Sequence, residues 1–259
     1  MVSRVIVMRH SHRHGTVPGT HDPQLTELGH EQARRIAASP QEFGLTDVDA
    51  IFASPYLRAI QTAAPLAAAL RQPIRVDRGF GEIMLEPRGS PIGTLHYDLE
   101  HRDSLPSVEA GLVAEDSGSP APEFPDIAGP DFYRRGDTEQ RRRTVARHRE
   151  AIERVLAAGR EAGWSTVLVI AHACSSDFIA DALLGERYSA RYSVLHTDLK
   201  SPQYALVPHA SLTTLVRRAD EWVLESWAEP TVSTGVENGD DASDGGGGGG
   251  SGGGGGSSL

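Results

Sequence analysis

Among its 259 residues the sequence has one cysteine, Cys174, and one lysine, Lys200. A lone cysteine excludes an intramolecular disulfide framework and fits a reducing compartment. No stretch approaches the roughly 20 apolar residues of a membrane-spanning helix. The apolar run Met1–Met8 stops at Arg9-His10, too short for the apolar region and cleavage site of a signal peptide. These absences lead to the expectation of a soluble cytoplasmic protein with no membrane partner. Basic residues are also scarce: 25 face 35 acids, a net charge of −10. Such a surface is poorly suited to neutralising a long phosphate backbone, so no nucleic-acid partner is expected. A local cationic pocket is still compatible with that balance.

What is present is unevenly placed. Residues 231–259 hold thirteen glycines, four acids and no base, and read as a disordered tail, acidic and then Gly/Ser-rich. Setting it aside leaves residues 1–230 with a net charge of −6, enough chain for one full core and read as a single domain. Twenty-four of the 25 bases are arginines. Codon preference accounts for such a total, but not for where individual arginines fall.

Along the body, strand-like and helix-like segments alternate. Val2–Met8, Asp49–Ala53, Ile74–Val76 and Thr166–Ala171 are short apolar runs that suit buried strands. Helices are predicted over Thr26–Ala38 with Thr26 as N-cap, Leu57–Leu70, Asp137–Ala158 and Ser175–Leu184. Ser211–Arg217 and Trp222–Trp227 alternate as a closing antiparallel pair. The alternation predicts an α/β fold, a three-layer α/β/α sandwich around a mostly parallel central sheet. Residues 86–136, rich in proline, glycine and acids, lack periodicity and read as an insertion or lid over the site.

Ligands bind beyond the carboxyl ends of strands in such sheets. Two histidines stand there: His10 in Arg9-His10-Ser11-His12-Arg13, and His172 in Ile170-Ala171-His172-Ala173. Either alone suits a structural role, bonded to a neighbouring carbonyl. Arg9, Arg13 and, at the start of the second helix, Arg58 add guanidinium groups, whose planar forks match phosphate oxygens and stay charged. If the strands are neighbours, such a pocket takes a dianion.

The residues just quoted, together with two longer motifs, resemble the histidine phosphatase superfamily, branch 1, also called phosphoglycerate mutase-like. Arg9-His10-Ser11-His12-Arg13 is similar to its Arg-His-Gly signature with a second arginine, as in some members. Leu25-Thr26-Glu27-Leu28-Gly29-His30-Glu31-Gln32-Ala33 is similar to its LTxxGxxQA run, and Ser54-Pro55-Tyr56-Leu57-Arg58-Ala59-Ile60-Gln61-Thr62-Ala63 to its SPxxRAxQTA run. His172 stands where that family has its second histidine. The resemblance implies a phosphoglycerate mutase-like fold and a phosphomonoester hydrolase working through a phosphohistidine on His10. It implies Arg9, Arg13, Arg58 and His172 as phosphate-binding, and Glu82 as proton donor with Glu86 as its rival. It implies no cofactor and no metal, and as partner a phosphorylated small molecule or phosphoprotein substrate. Ser11 and Ala173 depart from the family's glycines; both are small and fit if φ stays negative.

Three alternatives stay open at this point. His10, His12 and His14 also resemble the H-x-H pair of a metal site, although the other histidines lack ligand spacing and Arg9 and Arg13 oppose a cation. Phosphoglycerate mutase-type transfer is a second; the single lysine and the acidic 86–136 segment fit it less well. The third is a catalytically weak phosphate-binding or scaffold member. The cysteine, Cys174, reads as a small buried thiol at a helix start, with a redox role as the rival.

Overall fold

The computed structural model describes residues 1–14, 23–82, 84–85, 127–128, 139–185 and 207–231. Eight strands and four helices fall in it: β1 (Arg4–Arg9), α1 (Glu27–Ala38), β2 (Ala50–Ala53), α2 (Leu57–Leu70), β3 (Ile74–Val76), β4 (Met84–Leu85), β5 (Ile127–Ala128), α3 (Glu139–Ala162), β6 (Thr166–Ala171), α4 (Ala173–Leu184), β7 (Leu212–Arg218) and β8 (Glu221–Glu229). Six strands form one mixed sheet in the order β3-β2-β6-β1-β7-β8. The first four in that order are mutually parallel; β7 runs antiparallel to β1, and β8 antiparallel to β7. β4 and β5 pair separately. Most of the expected insertion, 86–126 and 129–136, and residues 232–259 lie outside the described residues, as does Glu86.

Period-2 geometry sorts the apolar runs into two cores. On β1 and β6, Ile6, Met8, Leu168 and Ile170 face α1 and α2 with Ile36, Ile60, Ala63 and Leu66. Val5, Val7, Val167 and Val169 face α3 and α4 with Ile152, Val155 and Ile179. Both faces are covered, which is why these strands read as unbroken apolar runs. Each fully buried aliphatic side chain contributes roughly 1.5–3 kcal/mol.

The helices begin and end for local reasons. Thr26 caps α1, its Oγ1 accepting from the Gly29 N–H at 3.1 Å, with Glu27 favourably placed in the first turn. Gly29 of the LTxxGxxQA run marks a close approach: a Cβ there would lie 2.0 Å from the His12 carbonyl oxygen. Gly29→Ala should therefore cost about 3 kcal/mol, a fall in Tm of roughly 6–12 °C by thermal unfolding. An unchanged Tm would mean that this packing is not needed. α2 is buried along most of its length, and its alanines let it lie close to the sheet; it ends where Arg71 takes φ 54°.

Candidate active site

The site lies along the carboxyl edge of the parallel strands. β1 and β6 are neighbours with Arg9 opposite Ala171, so the next residue of each, His10 and His172, stand side by side. Their ring centroids are 5.4 Å apart, and both are buried. β2 lies beyond β6 and delivers Ser54, whose Oγ shares a 2.7 Å hydrogen bond with His172 Nε2. α2 follows directly and carries Arg58 back over the edge. The chain leaving β3 passes through a short 3-10 turn, Arg78–Phe80, and places Glu82 there as well.

His10, His172, Arg58 and Glu82 thereby converge. Arg58 Nη2 pairs with the Glu82 carboxylate and lies 3.4 Å from His172 Nδ1; Glu82 Oε2 is also 3.4 Å from that nitrogen. The Arg58 guanidinium rests over the Tyr56 ring, 4.3 Å from its centroid, and Tyr56 in turn edges His172 at 5.0 Å. Arg9 is buried beside them, one Nη donating to the Val207 carbonyl at 2.6 Å. Arg13 is half-buried at the rim, its Nη1 donating to the His14 carbonyl at 2.9 Å. Glu82 is half-buried, the outermost of the four.

Burial, then the charges of Arg58 and Arg9, hold the His10 ring well below the ordinary imidazole range, so the ring is neutral. Its Nδ1 lies 2.8 Å from the Ser11 carbonyl and must donate to it, leaving the lone pair on Nε2. His172 is depressed by the same causes in the same order. Behind it, His148 Nδ1 donates to the Thr144 carbonyl at 2.9 Å, and Nε2 meets Ser175 Oγ at 3.2 Å. Ser175 Oγ also accepts from the His172 N–H at 3.3 Å, fixing the turn into α4.

The two long motifs have a physical purpose in this arrangement. Gln32 Oε1 accepts from the His12 N–H at 2.9 Å, Gln61 Oε1 from the Leu25 N–H at 2.9 Å, and Thr62 Oγ1 from the Ser11 N–H at 3.0 Å. His12 Nδ1 lies 2.8 Å from Thr26 Oγ1. The motif side chains thus satisfy the backbone of the loop that follows β1 and hold His10 in one pose. Neither Ser11 nor Ala173 has a positive φ, so each replaces glycine without backbone strain. Among the described residues, no three His, Cys, Asp or Glu side chains are grouped to hold a metal ion. Cys174, at the second position of α4, is half-exposed rather than buried as expected.

His209 is a site residue that sequence reasoning missed. Its ring is 5.5 Å from His10 and 5.2 Å from His12, extending a row of imidazoles from the pocket towards the surface. β7 runs antiparallel beside β1, with Leu212 opposite Met8, so the residues before β7 arrive where β1 ends. Attention to strand ends alone overlooks an antiparallel strand's beginning. The expected closing pair, placed beside the first strand, would have pointed to it. Ala210 next to it takes φ 61°, held by its N–H to the His10 carbonyl at 3.2 Å and by Thr231 Oγ1 on its own carbonyl at 2.6 Å.

Comparison with known proteins gives the same direction. Residues 5–88 match the family model of the histidine phosphatase superfamily (branch 1). In structure, the chain is similar to a mycobacterial glucosyl-3-phosphoglycerate phosphatase in complex with VO3, at TM-score 0.56 and 22% identity over 88% of this chain and 100% of that one. It is also similar to the ecdysone phosphate phosphatase of Bombix mori in complex with tungstate, at TM-score 0.57 and 19% identity, covering 91% and 96%. A phosphoserine phosphatase of Entamoeba histolytica in complex with 3-phosphoglyceric acid aligns at TM-score 0.50 and 18% identity, covering 88% and 98%. The fold is therefore the α/β architecture of these phosphoglycerate mutase-like structures. No curated protein matches the sequence. Among the described residues, no helix is long and apolar enough to cross a membrane.

Proposed function

We propose that the chain, with its histidine phosphatase superfamily (branch 1) segment, is a phosphomonoester hydrolase that forms a phosphohistidine on His10. One observation carries the reading: a buried neutral His10 whose Nδ1 is committed to the Ser11 carbonyl, leaving the Nε2 lone pair beside Arg9, Arg58 and His172. The oxyanions VO3 and tungstate held by two structures of this fold agree with it. The substrate dianion sits against Arg9, Arg58 and His172, with Arg13 extending the cradle from the rim. His10 Nε2 attacks phosphorus in line; the N–P bond forms as the P–O bond to the leaving group breaks.

Glu82 supplies the proton that the departing oxygen takes. The incoming dianion displaces the Glu82 carboxylate from Arg58, and the freed carboxylate takes up a proton from solvent, which it then hands to the departing oxygen. In the second step water attacks phosphorus and gives its proton to Glu82, the N–P bond breaks, and inorganic phosphate departs. The substrate is a phosphorylated small molecule or phosphoprotein met in the cytoplasm.

Wild-type protein should release inorganic phosphate from nitrophenyl phosphate in excess chelator. Release no faster than from His10→Ala would sink the hydrolase reading. Glu82→Gln should slow hydrolysis of an alkyl phosphate by roughly 10²- to 10⁴-fold, the usual cost of losing a positioned proton donor. Nitrophenolate leaves without much help, so its ester should be affected far less.

A further inference from the structure

Glu82 follows a short turn anchored in the core by the fully buried Phe80, and the backbone of the turn is held from the side by α3. Arg147, buried on α3, donates from Nη1 to the carbonyls of Gly79 and Gly81, each at 2.9 Å, and more distantly to that of Arg78 at 3.4 Å. Seven residues on, Arg154 Nη2 bridges both Asp77 carboxylate oxygens at 3.0 and 3.3 Å. Asp77 Oδ1 also accepts from the Gly79 N–H at 2.7 Å. Between the two arginines lies Ala151, so close to the turn that a Cβ on Gly79 would sit 2.5 Å from the Ala151 Cβ. Positions 147, 151 and 154 share one face of the helix. The whole face is fitted to the turn.

A cation buried among carbonyl oxygens of one turn fixes the peptide planes that carry those oxygens. Here the nearest fixed plane, that of Gly81, is also the peptide that joins Gly81 to Glu82. A small rotation of that plane swings the Glu82 carboxylate away from Arg58 and His172. We infer that Arg147 is a positioning residue for proton donation, holding the 79–81 backbone so that Glu82 reaches the leaving-group oxygen. The inference rests on the reading of Glu82 as proton donor. Arg147 reaches Glu82 through that backbone; its charge also helps to depress His148 and His172, but the side chain itself is committed to the turn's carbonyls.

The test is dependence on the leaving group, which a merely structural role would not move. Arg147→Met should lower kcat for an alkyl phosphate by 10- to 100-fold, while the nitrophenyl ester loses at most about threefold. Competitive inhibition by inorganic phosphate, which reads the anion pocket, should shift less than twofold. Arg147→Lys keeps the charge without the fork and should show the same split at smaller size; it serves as the test if the methionine variant does not fold. Equal losses with both esters in the folded variants would overturn the inference. Glu82→Gln, run in parallel, separates the two levels of the argument. If it shows no leaving-group split, the proton-donor reading falls and this inference with it. If it shows the split and the Arg147 variants do not, only the positioning role falls.

Discussion

Replacing His10 by alanine or asparagine should reduce turnover of any phosphate ester by at least about 10⁴-fold, a barrier increase of more than about 5 kcal/mol. The size follows from how the other imidazoles are engaged. His172 shares its Nε2 with Ser54 Oγ, and its Nδ1 faces Arg58 and Glu82, so it presents no lone pair along the line of attack. Water attacking directly loses the pre-positioned nucleophile and its entropic advantage. Wild-type protein mixed with a labelled aryl phosphate and quenched in alkali should carry a covalent label that alkali preserves and acid removes. His10→Asn should carry none. An acid-stable label, or a variant keeping more than a hundredth of the wild-type rate, would assign the nucleophile elsewhere. The pH profile adds a second check: because burial, Arg58 and Arg9 depress His10, kcat/KM should not fall as pH drops from 7.5 to 6.

Much of this architecture was readable because the chain is well punctuated. α2 and β6 have the expected limits, Leu57–Leu70 and Thr166–Ala171, since each is a dense apolar or alanine-rich block with clear edges. Elsewhere tertiary contacts overrode local signals. The long helix was expected to stop at Ala158, just before Gly159, but that glycine serves packing: a Cβ there would lie 2.3 Å from Val2 Cγ2. α3 continues to Ala162 and ends at Gly163, where φ is 75°. α4 was expected to start at Ser175, a good N-cap residue. It starts at Ala173, because the Ser175 hydroxyl reaches back to the His172 N–H from inside the first turn.

The candidate site divides in the same way. His10 and His172 lie at strand ends and Arg58 in a motif, so they could be named from the sequence, whereas Glu82 was indicated by the family resemblance alone. Arg147 lies in an arginine-rich helix start that reads as a solvated face, and nothing local marks it as buried. His209 depends on a strand-order fact, the insertion of β7 beside β1, which no window of sequence contains. The two motif glutamines were visible as letters, but their work, accepting from the His12 and Leu25 N–H groups, needed the loop's path.

The buried histidines also determine how the fold answers to acid. His10, His148 and His172 all sit well below the ordinary imidazole range, in each case first because of burial; Arg58 and then Arg9 follow for His10 and His172, and Arg147 for His148. In the unfolded chain each titrates near its usual value of about 6.5. As pH falls below that value, the unfolded state takes up protons that the folded state refuses, so stability is lost. Three such groups give a slope of up to about 4 kcal/mol per pH unit, against a total stability of roughly 5–15 kcal/mol. Tm should therefore drop by roughly 8–16 °C per unit between pH 6 and 5. His148→Asn keeps a donor for the Thr144 carbonyl and removes one titrating ring. It should reduce the slope by about a third wherever its altered packing sets the curve, since packing moves the level and protons move the slope. Inorganic phosphate should reduce only the part of the His10 and His172 share that comes from Arg58 and Arg9, and leave the part due to burial and the His148 share in place. A Tm that stays level from pH 7 to 5, measured by calorimetry without phosphate, would show that these rings accept protons in the folded state and would remove the electrostatic basis for a neutral nucleophile.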